Sequence, residues 1–201
     1  LTHVVGDELE SGDVVAETSL ATLANTSVAV DSSALTIGGA DLSETLDVKA
    51  TNGIIHIMDE VIVPPTIVEV AGATDALSSL VAAIGASSAT IQGVVTPDTL
   101  SGDSPITVFA PTNDAFTASG IDLSTVPQTA LDGVLAHHVV TSQALSTDLS
   151  DGQVVTTANG TVTVSIAADG GISITDGAGN TANVIATLKD IRTLTGVVHV
   201  I

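Results

Sequence analysis

The run Gly53-Ile54-Ile55-His56-Ile57 returns near the end of the chain as Gly196-Val197-Val198-His199-Val200. The recurrence is not isolated. His3-Val4-Val5 returns as His138-Val139-Val140, Gly12-Asp13-Val14-Val15 as Gly152-Gln153-Val154-Val155, and the alternating stretch Val28 to Ile37 as Val162 to Ile174. His3 and His138 lie 135 positions apart, His56 and His199 143 apart, so the second copy carries about eight extra residues, which fit longer surface loops. A chain that repeats itself at this period folds as successive units of one kind. The 201 residues then hold the strand-rich end of one unit and nearly all of the next.

Periodicity assigns the local structure. Val28 and Val30, then Leu35 and Ile37, alternate about the turn-forming Asp31-Ser32-Ser33, which predicts a hairpin. Asn52-Gly53 is a turn signal followed by an apolar strand that Pro64-Pro65 stops, because proline removes a ladder donor. The period then changes. Ala73, Leu77, Leu80, Val81 and Ile84 recur at three- and four-residue spacing, predicting one amphipathic helix capped by Thr74 or Asp75 and ended by Gly85. Ile106 to Ala110 reads as a buried strand, broken by Pro111 and followed by a short helix around Asp114 to Ala118, with Thr112 or Asn113 as its cap. A further helix is expected from Pro127, suited to a first-turn position, through Leu131, Val134 and Leu135. Val, Ile and Thr dominate and Phe109 and Phe116 are the only aromatics, so the core is expected to be β-rich and aliphatic.

Charge excludes partners. Twenty-three acidic residues against three basic ones (Lys49, Lys189 and Arg192) give a formal net charge of −20, which repels a nucleic-acid backbone or an anionic membrane. The same charge keeps a protein dissolved, and salt screens its self-repulsion. With no cysteine there is no disulfide, thiolate nucleophile or cysteine-held metal. No stretch reaches the roughly 20 apolar residues that span a bilayer. Leu1-Thr2-His3-Val4-Val5 already reads as strand, so residue 1 is expected to lie inside a longer precursor.

The order of Thr66 to Ile84, Ile106-Thr107-Val108-Phe109-Ala110-Pro111-Thr112-Asn113-Asp114-Ala115-Phe116, Leu131 to Val140 and Thr195 to Ile201 resembles a fasciclin (FAS1) domain. Its first box resembles Thr107 to Phe116, and its last resembles Asn52 to Pro65. The resemblance covers residues 66–201 as a nearly complete domain and 1–65 as the carboxyl-terminal part of a preceding one. It implies an α+β fold, a β-sandwich or wedge with a helical layer on one side. It also implies a non-enzymatic, tandemly repeated module of secreted, cell-surface or matrix proteins, making weak multivalent contacts with extracellular protein or carbohydrate. Some animal members carry a Tyr-His pair for integrins before two valines; here Ala136-His137-His138-Val139-Val140 keeps the histidine and departs at the tyrosine. Residues 1–65 lack the helix and the Phe109-type strand that should cover their apolar face. They are expected to need an upstream segment or another copy of the chain, in the extreme as a homo-polymer.

Candidate chemistry is sparse. His56 and His199 share one register and His3 and His138 another, one of each per unit, so all four are expected to be structural, as are Asn52, Gly53 and Gly196 at the repeated turns. Thr112, Asn113 and Asp114 stand where strand yields to helix; they are expected to cap it and, with His137 and His138, to form the candidate binding surface. Acidic turns at Ser101 to Asp103, Leu149 to Gly152, Ala167 to Gly171 and Thr175 to Asn180 offer oxygens for weakly held calcium, the one cofactor expected, but none has the spacing of an EF-hand. No GxSxG, P-loop, dinucleotide fingerprint or HExxH occurs. A hydrolase or small-ligand-binding protein, with a site that only spatial pairing would reveal, is the alternative.

Overall fold

Pro64 and Pro65 lack backbone donors, and the chain divides between them into two compact units, Leu1–Pro64 and Pro65–Ile201. The computed structural model describes residues 2–23, 27–43, 45–95 and 105–201, so the Ser101 to Asp103 turn lies outside the described residues.

The first unit contains α1 (Ser11–Val14), β1 (Ser19–Ala21), β2 (Ser27–Asp31), β3 (Thr36–Ile37), β4 (Ala40–Asp41), β5 (Val48–Ala50) and β6 (Gly53–Ile55). The second begins with α2 (Ile67–Gly72), α3 (Ser78–Ala86) and α4 (Ala89–Val95), then β7 (Ile106–Ala110), α5 (Asn113–Ser119), α6 (Gln128–His137) and β8 (Val139–Val140). It closes with β9 (Val154–Thr157), β10 (Gly160–Ile166), β11 (Ile172–Asp176), β12 (Thr181–Asn183), β13 (Ile191–Thr193) and β14 (Gly196–Val200).

The helix expected over residues 73–84 is a 3-10 turn that runs into α3, and a separate helix, α2, ends before it at Gly72. Thr74 is extended at φ −111°, ψ 106°, its hydroxyl donates to the Val70 carbonyl, and a 3-10 turn, Asp75–Leu77, leads into α3. Ala73 is therefore exposed outside the apolar face, and Gly85 sits inside α3, which ends at Ala86. Thr66 and Glu69 cap α2 reciprocally, each side chain accepting the other's backbone N–H. Pro127 stands one place before α6, at its N-cap.

In the second unit the strands form one eight-stranded sheet in the order β12-β11-β10-β9-β8-β7-β14-β13. β7 runs parallel to β14, pairing Ile106 with Gly196 and Phe109 with His199, and antiparallel to β8, pairing Val108 with Val139. All five residues of β7 and of β14 are buried, as strands covered on both faces require. On one face Val108, Val139, Val198 and Val200 meet Ile67, Leu77, Leu80, Phe116, Leu131 and Leu135 from the helical layer. On the other, Phe109, Val140, Val155, Val164 and Ile174 from five strands share one cluster, so the sheet curls around its own face. The architecture is α+β, helices on one side of a curled sheet, as the fasciclin resemblance implies.

The first unit repeats these registers. Leu20 pairs with Val28 as Val155 pairs with Val162, and Lys49 pairs with Ile54 as Arg192 pairs with Val197. Ser43 N–H donates to Ile57 O at 2.9 Å, as Ile185 N–H does to Val200 O at 2.8 Å. One sequence match is corrected: Val14 closes α1 whereas Val154 opens β9, so Gly12 to Val15 and Gly152 to Val155 are not counterparts. The structural counterpart of buried Val14 is buried Leu149, in the same place before the first hairpin. The strand expected from Gly53 towards Pro64 is also shorter, ending at Ile55, because among the described residues β5 alone pairs with it, whereas β14 is held by β7 and β13.

Candidate functional site

The repeated histidines lead to a shared arrangement. His199, 1% exposed, stacks on Phe109 with ring centroids 5.6 Å apart. Its Nε2 lies 2.8 Å from the Ala144 carbonyl, and its Nδ1 accepts the Asp190 N–H at 3.2 Å. Those bonds require the neutral Nε2–H tautomer and leave neither nitrogen free. Asp190 in turn accepts the Ser146 amide at 2.6 Å and the Ser146 hydroxyl. Partial burial pushes the Asp190 carboxyl up; the Ser146 bonds, with Lys189 nearby, outweigh it and hold the group below its ordinary value.

The first unit carries the same three residues. Asp47 accepts the Ser11 amide and hydroxyl, each at 2.7 Å, and His56 Nε2 lies 3.0 Å from the Leu9 carbonyl. The Ser11 hydroxyl, then its amide, hold Asp47 below the usual carboxylate range. Asp47 and Asp190 adopt left-handed φ of 57° and 58°. The tie is weaker at one point: His56 Nδ1, 3.9 Å from Asp47 Oδ1, has no hydrogen-bond partner among the described residues. Sequence reading missed Ser11, Asp47, Ser146 and Asp190, although their separations, 135 and 143, are those of the histidine anchors.

A Ser, an Asp and a His in contact invite comparison with a hydrolytic triad, but the order of contacts differs. In a triad the histidine bonds the serine and is oriented by the carboxylate. Here the serine bonds the carboxylate, and the histidine is spent on a backbone N–H and a carbonyl. What the arrangement does chemically is tie the loop after β8 to the turn before β13 and to β14.

The other candidates are dispersed. The Thr112 hydroxyl accepts the Ala115 N–H and caps α5, while the Asn113 carboxamide turns to the neighbouring helix, accepting the Ser79 N–H at 2.8 Å and donating to the Asp75 carbonyl. Asp114 is exposed in the first turn. His137 Nδ1 donates to the Asn159 carbonyl at 2.8 Å; His138 Nδ1 donates to the Val134 carbonyl at 2.8 Å. Burial depresses the His138 imidazole below its ordinary value, His137 adds to this, and the bond to Val134 opposes it. Among the described residues no hydrogen bond joins Thr112 to Asp114 with the histidine pair. Val139 and Val140 after His138 are buried. His3 differs from its counterpart, its Nε2 accepting the Ile62 N–H at 3.0 Å.

Thr51 and Asn52 turn β5 into β6, which Gly53 opens paired with Ala50, one place on from the expected turn, and Gly196 opens β14 where the backbones crowd: a Cβ there would stand 1.8 Å from the Ile106 carbonyl oxygen. The acidic turns satisfy their own backbone. Asp169 accepts the Gly171 N–H, Asp151 the Ile166 N–H, and Asp176 those of Ala178 and Asn180. Among the described residues no group of three or more His, Asp or Glu side chains is placed to hold a metal ion, and no helix is long and apolar enough to cross a membrane.

Known proteins resemble this chain in sequence or in fold. Protein sll1483 of Synechocystis is 34% identical over 141 residues, covering 68% of this chain and 70% of that protein. Transforming growth factor-beta-induced protein ig-h3 of Oryctolagus cuniculus is 32% identical over 165 residues, and human periostin 28% over 137; this chain spans 22% and 15% of their lengths. A FAS1 domain pair from the insect cell adhesion molecule fasciclin I has the same fold, with a TM-score of 0.54 at 15% identity, covering 98% of this chain and 75% of that one. With the fasciclin domain pattern matching residues 1–64 and 78–201, the chain belongs to the fasciclin domain family.

Proposed function

We propose that the chain is part of a non-enzymatic adhesion or structural repeat module, acting outside the cell or at its surface through weak, multivalent contacts with protein or carbohydrate. Residues 66–201 form a nearly complete fasciclin domain in this reading, and 1–65 the carboxyl-terminal part of another. The carrying observation is the duplicated Ser–Asp–His tie, Ser11–Asp47–His56 and Ser146–Asp190–His199, in two units whose paired strands share registers. Its polar groups, His56 Nδ1 apart, are spent on holding loops, which suits a rigid display scaffold rather than turnover. The histidines and repeated turn residues serve that scaffold. Accessible Asp114 and His137 are the candidate contact residues, and Thr112, Asn113 and His138 support the backbone beneath them. A fold shared with a domain pair from a cell adhesion molecule supports the same reading.

Repetition brings affinity when many weak contacts act together. The chain biotinylated at one terminus, as monomer and on tetravalent streptavidin, is tested for retention on cells and on matrix protein or glycan surfaces. Tetravalent display is expected to raise apparent affinity about 100-fold or more at matched chain concentration. Equal retention of the two forms on every surface would sink the reading.

A further inference from the structure

We propose that Arg192, on the β13–β14 hairpin of the second unit, anchors a carboxylate site, and that its ligand is an acidic sugar, a uronate that ends an otherwise neutral glycan. The carboxylate is assigned from the residues around Arg192; the choice of a glycan as its bearer rests on the adhesion reading above.

The first unit shows what a cation in this register meets. Lys49 pairs with Ile54 across β5 and β6 as Arg192 pairs with Val197 across β13 and β14. The Lys49 ammonium donates to Glu10 at 2.7 Å, and Glu10 directly precedes Ser11, which Asp47 holds. Asp190 holds Ser146 in the same way, but the residue before Ser146 is Leu145. The second unit thus has the cation and, where its acid would stand, an apolar side chain.

Arg192 is left with its charge uncompensated. Among the described residues it makes no hydrogen bond and no ion pair, although the chain carries 23 acidic residues. Asp190 is engaged by Ser146, and Asp148 accepts the Leu145 N–H at 3.0 Å. The Arg192 Nε is buried without a partner, while the two terminal nitrogens, also unbonded, reach solvent. The stem is thus set into the surface and the end of the fork faces outward, offering two parallel N–H groups at the spacing of carboxylate oxygens. Lys189, likewise without an ion pair among the described residues, adds a second positive charge close by in the chain.

Register sets the loop after β8 beside the guanidinium. Arg192, Val197 and Thr107 are partners across β13, β14 and β7 and so share one face, where the Thr107 hydroxyl donates to the Ser142 carbonyl and accepts the Ala144 N–H, each at 2.8 Å. This loop is uncharged from Thr141 to Thr147. Its exposed Ser142 and Gln143 carry hydroxyl and amide groups for sugar hydroxyls, and half-buried Leu145 offers apolar surface to the C–H edge of a ring. A polymer charged at every sugar is repelled by the net charge of −20, whereas a single acidic sugar meets little of that repulsion. A glycan with one acidic end therefore fits, and a polyuronate does not.

The test titrates methyl glucuronide and methyl glucoside, which differ by a carboxylate against a hydroxymethyl group, into the full chain at fixed ionic strength. The Arg192 Nε–H resonance and the heat of binding are followed. Saturable glucuronide binding that shifts this resonance is expected, with the glucoside at least about tenfold weaker. Arg192→Gln is expected to erase the difference, and Lys49→Gln, at the cation already paired with Glu10, to leave it intact. Leu145→Glu restores the first unit's acid, so the chain is expected to keep its melt and lose glucuronide binding, whereas Leu145→Gln weakens both glycosides alike. Equal binding of the two glycosides, no binding to a folded chain, or glucuronide binding that survives Leu145→Glu would each overturn the site. N-acetylglycine binding as tightly as the glucuronide would overturn the sugar and assign a peptide carboxylate instead. Tetravalent retention separates the two readings: a gain on protein or neutral glycan surfaces without glucuronide binding removes only the site, and glucuronide binding without any gain removes only multivalent adhesion.

Discussion

Asp190 grips Ser146 with both carboxylate oxygens, one on the amide at 2.6 Å and the other on the hydroxyl, across 44 residues of sequence. The backbone N–H of Asp190 meanwhile anchors His199, so one residue fixes two loops to β14. Asp190→Asn is the informative change, because asparagine tolerates the left-handed φ of 58° and keeps the backbone bond while removing one acceptor oxygen. The expected loss is about 1–2 kcal/mol, the lower part of the range for charged hydrogen bonds, since the carboxylate keeps some of its water. Urea unfolding of the single changes Asp190→Asn and Ser146→Ala and of the pair checks it. The double variant is expected to lose less than the sum, and strict additivity would show that the two residues do not act through each other.

The glycines that open the two copied strands are expected to differ in cost. Gly196→Ala places a Cβ 1.8 Å from the Ile106 oxygen, so β7 and β14 must part where every neighbour is buried. A loss above about 4 kcal/mol, or no folded protein at all, is expected. Gly53→Ala meets no atom and carries only the strain of φ 154°, for which about 1 kcal/mol is expected. Thermal melts of the two variants make the comparison, and similar losses would contradict the open space beside Gly53.

Much of this architecture was legible before any coordinates because β-rich units advertise themselves twice. Alternation and turn chemistry placed the hairpins, and the repeated Gly-x-x-His register aligned Lys49–Ile54 with Arg192–Val197. The break between α2 and α3 was not legible. It depends partly on Asn113, 34 residues away, whose carboxamide takes the Ser79 N–H and starts a new helix where the apolar spacing runs on. Gly12 to Val15 misled for the opposite reason: a short apolar match suits either a helical turn or a strand, and only the tie of Ser11 to Asp47 sets the frame. The site residues Asp47 and Asp190 carried a signal in their separation, but among so many acids a single pair stands out only once the fold has named its partners.

Calcium is expected to do little. The carboxylates of Asp151, Asp169 and Asp176 are occupied by backbone N–H groups of their own turns and hairpins, and a cation would have to displace them. In melts at constant ionic strength, millimolar calcium is expected to move Tm by less than about 1 °C relative to sodium. Ionic strength must be matched, because any salt relieves the repulsion of a chain with net charge −20. A rise of several degrees that magnesium does not reproduce would reveal a specific site.

His138 is expected to make stability depend on pH in the neutral range. Burial, and His137 beside it, hold its folded pKa below the unfolded value of 6.5, against the pull of the Val134 carbonyl. In the interval between those values the unfolded chain binds the proton and the folded chain does not. Its contribution is thus present in full above pH 6.5 and is lost as pH falls from there through the folded value. His138→Asn keeps an N–H near the Val134 carbonyl but does not titrate. Urea midpoints measured from about pH 7.5 to about pH 5, above the range in which carboxylates titrate, are expected to fall for the native chain and to fall less for the variant. Parallel decline in the two proteins would assign the pH dependence to other groups.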